Sequence, residues 1–146
     1  ESRLPAALSY SLGGFLSYVS YQPEPFQVEA EGRTWEGELM VGQIGIGRFC
    51  GGGVDLTPDA GLDHGRFQVV LIPKRGKLRG FVQWPSIARG EKIPGTQVLT
   101  GTRIRLKGRP GFLIHADGEV RRATVGELTL TLVPAALRVM AKVNED

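Results

Sequence analysis

The apolar positions of the chain follow two spacings, helical at the start and strand-like afterwards. At the start, apolar side chains recur every three or four residues, at Leu4, Leu8, Leu12, Phe15, Leu16 and Val19. This spacing predicts an amphipathic helix from about residue 4 to residue 21. Pro23 and Pro25 end it, because proline cannot extend a helix. Its serines make the segment too polar for a membrane span.

From Phe26 onward the pattern is typical of antiparallel strands. Residues 27–31 and 34–41 predict two strands joined by a hairpin turn at Glu31–Gly32–Arg33. Residues 58–65 are rich in Asp and Gly, which predicts a loop. Further strands are predicted over residues 49–56, 66–73, 97–106, 111–115, 120–123 and 128–133, with a last candidate over 137–143.

One short internal helix interrupts this series of strands. It is predicted over residues 77–84, with Leu78, Phe81 and Val82 facing inward and Pro85 as its limit. Together these elements predict a mainly β fold, an antiparallel two-sheet β-sandwich with one N-terminal helix and this internal helix.

Composition narrows the class of protein. The chain has 146 residues, of which 41% are apolar and 23% are charged. This length and composition are sufficient for one domain, residues 1–146, with its own core. The 21 glycines favour many short strands. A single cysteine, Cys50, excludes an internal disulfide, and a reducing cytoplasm is then the simplest compartment. A net charge of +3 permits attraction to anionic lipid or phosphate and does not require nucleic acid.

The chain begins at Glu1, and Leu4 already belongs to a periodic segment. We interpret the sequence as a fragment or a processed product. The start lacks the basic region and cleavage site of a signal peptide.

Asp117–Gly118–Glu119 is the first candidate for chemistry. Asp-Gly between two predicted strands is a strong hairpin-turn signal. A turn at the rim of a sheet can also present a carboxylate to a cleft, where it acts as a general base toward an alcohol. The two interpretations are compatible, since a hairpin tip fixes the position of a base.

Two glycine-rich stretches are open to two interpretations each. Gly51–Gly52–Gly53 predicts a bulged strand or a close approach of backbone to a ligand, and no P-loop sequence follows it. The loop over residues 58–65 contains Asp59, Asp63 and His64. It predicts a solvated turn, or a site where Asp oxygens and loop carbonyls hold a hard cation. It does not match the calcium loop of an EF-hand.

Basic side chains alternate along one predicted strand. They would share one face, which is either solvated or in contact with anionic lipid headgroups, and a second group could extend that surface. The first group is Arg103, Arg105, Lys107 and Arg109, and the second is Lys74, Arg75, Lys77 and Arg79. Cys50 with His64 or His115 predicts neither a thiol nucleophile nor a zinc site.

The order of these pieces resembles the C-terminal half of bacterial diacylglycerol-kinase-like lipid kinases. Diacylglycerol and phosphatidylglycerol kinases belong to this family, with sphingosine kinases as more distant relatives. The similarity runs from about residue 10 to residue 140. The segments that carry it are Gly47–Gly53, Pro58–Ala60, Leu62–Gly65, Asp117–Glu119 and Leu132–Arg138.

The resemblance implies a two-domain enzyme that uses ATP and Mg²⁺. Its N-terminal α/β domain would carry a Gly-Gly-Asp-Gly-Thr nucleotide loop, which this sequence lacks, so the chain alone is expected to be inactive. By position, Asp117 matches the family's general base, and Glu119 would support the site by hydrogen bonding or by balancing metal charge.

The sequence departs from the family pattern at two positions. His64 stands where members often have the Asp that helps to hold a structural Mg²⁺, and His is a poor ligand for that cation. Asp63 and the carbonyls of Gly61 and Arg66 are the remaining candidate ligands. Ile46 stands where the family tends to have Asn.

The leading hypothesis is the acceptor-side domain of a kinase that transfers the γ-phosphate of ATP to a lipid hydroxyl at a membrane surface. Peripheral membrane contact and a homodimer are open alternatives for its associations. The second hypothesis is a non-catalytic, kinase-like lipid-binding or regulatory module. The third is a structural or oligomerisation domain without a ligand. The identity of the lipid stays open.

Overall fold

A computed structural model describes residues 21–50 and 53–137, which form ten strands and one helix. The helix, α1, is Lys77–Ala88. The strands are β1 Glu24–Ala30, β2 Arg33–Gly45, β3 Phe49–Cys50, β4 Val54–Asp55, β5 Phe67–Pro73, β6 Gln97–Gly101, β7 Arg103–Lys107, β8 Phe112–Ala116, β9 Glu119–Ala123 and β10 Glu127–Thr131. The predicted mainly β, antiparallel fold is confirmed.

Six strands form one antiparallel sheet in the order β10-β7-β1-β2-β5-β6, while β3 with β4 and β8 with β9 form two separate hairpins. Only Thr102 separates β6 from β7, although they lie at the sixth and second positions of the sheet. The sheet must therefore curl until β6 approaches β7. Leu99 and Ile104, one from each strand, pack in the same buried cluster. This arrangement is consistent with the predicted β-sandwich.

β5 is the centre of the core because both of its faces are buried. Val69 and Leu71 point into a cluster enclosed by the curled sheet. Val70 and Ile72 point the other way and pack with Ile87 of α1. A strand covered on both faces needs a continuous apolar run, which is what residues 69–72 provide.

Most predicted β elements are confirmed, but two predicted single strands are divided, and β2 continues to Gly45 beyond its predicted end at residue 41. The hairpin at Glu31–Gly32 and the loop over residues 58–65 are present. The single strand predicted over residues 49–56 is a hairpin of two short strands, and the one over residues 97–106 is divided at Thr102. Apart from one end residue each, the predicted helix over residues 4–21 and the last strand over residues 137–143 lie outside the described residues.

The internal helix is confirmed, but it does not stop at Pro85, which lies inside it. Proline at this position removes one backbone donor, and the helix continues because its termination signal comes later. Gly90 adopts a φ of +72°. Its N–H donates to the Ile87 carbonyl at 3.0 Å, and the Glu91 N–H donates to the Ser86 carbonyl at 3.0 Å. This pair of bonds is a Schellman motif, which ends α1.

The predicted orientation of α1 is also wrong. Leu78, Phe81 and Val82 are 79%, 53% and 69% exposed, and Ile87 supplies the buried contact instead. In the described part of the chain, no helix combines the length and the apolarity needed to cross a membrane.

Candidate functional site

The Asp117 side chain stands at the tip of the β8–β9 hairpin. Ala116 pairs with Glu119, so Asp117 and Gly118 form a two-residue turn. Their φ values are +48° and +88°. Positive φ at both positions is the type I′ turn, which Asp-Gly adopts readily because glycine has no Cβ and aspartate tolerates the left-handed region.

The base of this hairpin is fixed to the sheet. The Phe112 ring is 5% exposed and meets the edge of the Phe26 ring, with centroids 5.1 Å apart. The Gly111 N–H donates to the Ala123 carbonyl at 2.7 Å, and Arg122 Nη1 donates to the Gly111 carbonyl at 3.0 Å. The hairpin is therefore anchored at one end and presents its turn to solvent at the other.

The two predicted catalytic carboxylates differ in their surroundings. Both are exposed, but Glu119 forms an ion pair with Arg121. No side chain in the described residues forms a hydrogen bond or an ion pair with the Asp117 carboxylate. The oxygens of Asp117 are therefore available to accept a hydrogen bond from a ligand, whereas the charge of Glu119 is already balanced by its neighbour.

A polar network fixes the segment before β5 to the sheet. Arg48 Nη2 donates to Asp55 Oδ2 at 2.5 Å, and this hydrogen bond, with the charge of Asp55, raises the pKa of the Arg48 guanidinium. The Gln68 side-chain amide forms two hydrogen bonds of 3.0 Å with Asp59. Gln68 Nε2 donates to the Asp59 carboxylate, and Gln68 Oε1 accepts the Asp59 backbone N–H. Thr57, which is 1% exposed, donates to the Gly47 carbonyl at 2.7 Å.

Sequence reasoning missed this network. Its signal is the placement of polar residues in otherwise apolar stretches, namely Asp55 and Thr57 around Leu56, and Gln68 within the run that forms β5. Buried polar side chains require hydrogen-bond partners, so these three positions indicate a structural network.

Replacing Thr57 by Val should lower the free energy of unfolding by roughly 1–3 kcal/mol, because the half-buried Gly47 carbonyl loses its donor. Chemical denaturation of the full-length protein measures the change. Thr100→Val, at an exposed position of β6, is the matched control and should shift stability by less than about 0.5 kcal/mol. Equal losses of unfolding free energy in both variants would show that the Thr57 hydroxyl contributes no more to stability than an exposed hydroxyl.

The short strands on either side of the glycine-rich segment pair with each other, while residues 51 and 52, on which the choice between a bulge and a close backbone approach depends, lie outside the described residues. Phe49 pairs with Asp55 and Cys50 with Val54, and Gly53 has a φ of +82°. Burial raises the pKa of the Cys50 thiol, which leaves little of the nucleophilic thiolate at neutral pH.

The loop over residues 58–65 offers few ligands for a metal ion. The Asp63 side chain is 93% exposed, and the His64 ring lies beside it, with Nε2 3.8 Å from Asp63 Oδ1. The Gly61 carbonyl accepts the His64 N–H at 3.0 Å. Across the described residues, no three His, Cys, Asp or Glu side chains form a group that could hold a metal. A site formed by Asp63, Gly61 and Arg66 therefore has one carboxylate and stays a prediction.

Two of the basic side chains predicted to share a surface, Arg105 on β7 and Lys74 after β5, are paired with acids. Arg105 lies 3.5 Å from Glu29 and 3.3 Å from Glu127, which come from the strands on either side. Lys74 Nζ pairs with Glu38 Oε1 at 2.9 Å. Exposed pairs of this kind contribute little to stability, and they favour the solvated-face interpretation of β7.

The family of the chain follows from comparison with known proteins. The model of the YegS C-terminal NAD kinase beta sandwich-like domain matches residues 1–141. The chain belongs to this family. The curled sheet and its two hairpins form a domain of this class. The predicted family resemblance is confirmed.

Relatives of this YegS-type domain include named lipid kinases. A diacylglycerol kinase of Bacillus subtilis is 27% identical over 82% of this chain and 40% of its own length. A probable lipid kinase, YegS, of Escherichia coli strain HS is 36% identical over 93% of this chain and 45% of its own length. The chain spans less than half the length of these relatives.

A solved structure shares the fold of the YegS-type domain. A diacylglycerol kinase from Bacillus anthracis strain Sterne superposes with a TM-score of 0.59 and 15% identity, over 88% of this chain and 47% of that one. At this identity the likeness shows the fold alone. The roles of Asp117 and Glu119, and the treatment of residues 1–146 as a single domain, stay predictions.

Proposed function

We propose that the full-length protein is an ATP-dependent lipid kinase and that this chain is its acceptor-side domain. One observation supports this most directly: Asp117 projects an unpaired carboxylate from an anchored hairpin. Relatives that share the domain are named diacylglycerol kinase and probable lipid kinase. A rigid base at the edge of a domain suits a reaction in which the other substrate is held by a second domain.

In the proposed reaction, a lipid hydroxyl lies against the Asp117 carboxylate and transfers its proton to it. The hydroxyl oxygen then forms a bond to the γ-phosphorus of ATP, and the bond to the bridging oxygen of ADP breaks. Phosphoryl transfer depends mainly on positioning and on neutralising charge, and Mg²⁺ bound with ATP supplies that neutralisation. Most ATP contacts would come from outside this chain, so we expect the chain alone to be inactive.

Glu119 and Arg121 have a positioning role in this proposal. Their ion pair lies next to the turn and keeps the negative charge of Glu119 from competing with Asp117 for the proton. The lipid would be an alcohol of the diacylglycerol class, met at the cytoplasmic surface of a membrane.

Incubating full-length protein with radiolabelled ATP, Mg²⁺ and dispersed diacylglycerol tests the proposal. We expect label in the organic phase as a phosphorylated lipid. Water as the only acceptor, or no ATP consumption at all, would contradict it. Lipid binding without ATP turnover would support the non-catalytic module instead.

A further inference from the structure

The outer face of α1 is apolar, and the inner face contributes little to the core. Leu78, Phe81, Val82 and Pro85 are spaced i, i+3, i+4 and i+7, which places them on one stripe of a helix. In a helix packed on a core, such a stripe faces inward. Here it faces solvent, with Leu78 79% and Val82 69% exposed.

The inner face of α1 explains this orientation. With about 100° of rotation per residue, Gly80 and Ile87 lie close together on the side opposite the stripe. Gly80 is buried and Ile87 is 2% exposed, within the cluster formed with Val70 and Ile72. A glycine and one isoleucine bring the helix close to the sheet, and the larger apolar side chains remain outside.

Basic side chains border the exposed stripe. Lys77 and Arg79 belong to the first turn of α1, on either side of Leu78, and both are exposed. Lys74 lies just before the helix, but Glu38 already balances its charge, so Lys77 and Arg79 are the cations that matter here. The sequence of α1 contains no Asp or Glu. Trp84, which is 48% exposed, stands beside the stripe, and tryptophan is enriched at membrane–water interfaces.

We propose that α1 docks on the surface of an anionic phospholipid bilayer, with the stripe in the boundary between headgroups and acyl chains. An amphipathic helix with basic flanks lies in the membrane plane in this way, with its apolar face buried about 5–10 Å. Charge complementarity selects anionic lipid, because Lys77 and Arg79 are exposed and the helix contains no Asp or Glu. The purpose of docking rests on the proposed function, because it would bring the acceptor-side domain to a membrane-resident alcohol.

Vesicle co-sedimentation of the full-length protein tests the docking. Vesicles of phosphatidylcholine alone are compared with vesicles that also contain phosphatidylglycerol, at low and high salt. We expect binding to the anionic vesicles that weakens with salt. The double variant Leu78→Glu, Val82→Glu should bind at least about tenfold more weakly, since it removes two side chains that would leave water.

A matched double variant controls for added charge. Val125 and Val133 are 78% and 68% exposed and lie outside α1. The double variant Val125→Glu, Val133→Glu therefore adds the same two carboxylates elsewhere. Its affinity for anionic vesicles should fall less than about threefold, because only long-range repulsion, which salt screens, acts on it. Arg79→Ala should weaken binding to anionic vesicles about fivefold and leave binding to phosphatidylcholine unchanged.

A third readout is independent of affinity. In a background in which Trp35 and any tryptophan outside this chain are replaced by Phe, the fluorescence of Trp84 should shift to the blue when anionic vesicles are added, because the indole leaves water. An unshifted Trp84 on bound protein would place the contact elsewhere and overturn the proposal. Equal losses of vesicle affinity in the two double variants would also overturn the proposal, as would no binding to anionic vesicles. The same holds if the helix variant changes the oligomeric state without changing vesicle binding.

Docking and catalysis fail separately in these experiments. Phosphate transfer to a short-chain diacylglycerol, below the concentration at which it aggregates, needs no bilayer. A protein that phosphorylates this acceptor and does not bind vesicles overturns docking alone. A protein that binds vesicles through α1 and transfers no phosphate supports docking and contradicts the proposed function.

Discussion

Replacing Asp117 by Asn in the full-length protein should lower kcat for lipid phosphorylation by roughly 10²–10⁴-fold, the usual contribution of a general base. The amide has nearly the same shape as the carboxylate but cannot take the hydroxyl proton. The Michaelis constant for lipid should change little, since the interaction is lost mainly in the transition state. Initial rates with radiolabelled ATP measure both constants.

The chain provides a close control for this variant. Glu31–Gly32 forms another two-residue hairpin turn, and Glu31 has the same φ of +48° as Asp117. Glu31→Gln therefore removes a carboxylate from an equivalent backbone position without touching the proposed site. We expect its kcat to stay within about twofold of the unmodified protein, as for an exposed substitution away from the reaction. A full-rate Asp117→Asn enzyme would exclude Asp117 as the base.

Gly90→Ala should lower the free energy of unfolding by about 2–4 kcal/mol, the sum of a left-handed backbone cost and an overpacking cost. Gly90 has a φ of +72°, and a Cβ there would lie 2.7 Å from the Asp55 carbonyl oxygen. Neither the backbone of β4 nor the Schellman motif can move freely to relieve the contact. Thermal or chemical denaturation of the full-length protein measures the loss.

Gly32→Ala separates the two contributions. Gly32 has a φ of +77°, close to that of Gly90, but a Cβ there would meet no atom within 4 Å. Its loss should therefore be about 1–2 kcal/mol, from the backbone alone. If the two alanine variants were equally stable, close packing between the end of α1 and β4 would not limit this position.

Local signals in the sequence predicted the elements that depend on neighbouring residues. Glu31–Gly32 and Asp117–Gly118 each place a turn-forming pair between alternating strands, and both hairpins are present. The apolar run over residues 69–72 predicted a buried strand, and β5 is buried on both faces. These signals do not depend on which distant strand packs against them.

Features set by tertiary packing were not predictable in the same way. The stripe of Leu78, Phe81 and Val82 has the spacing of a core face, and only the close fit of Gly80 and Ile87 on the sheet turns it outward. The predicted end of α1 was wrong because Pro85, the predicted limit, does not terminate the helix. The helix is terminated instead by Gly90, which has a left-handed backbone conformation.

The candidate site was predictable as a turn, and its chemistry was not. Spacing indicates a hairpin at Asp117, and the family resemblance supplies the role of base. The sequence does not show that Glu119 is paired with Arg121 while Asp117 is left unpaired, because both follow from side-chain placement at the tip.

Chemical footprinting of the hairpin tip tests most directly whether Asp117 lies where phosphate is transferred. Full-length proteins with Asp117→Cys or Glu31→Cys, each in a background in which Cys50 and any cysteine outside this chain are replaced by Ser, are alkylated with and without a non-hydrolysable ATP analogue, Mg²⁺ and diacylglycerol. We predict that these ligands slow alkylation at position 117 at least about tenfold, as burial excludes the reagent, and leave position 31 unchanged. Equal alkylation at position 117 with and without the ligands would contradict the account.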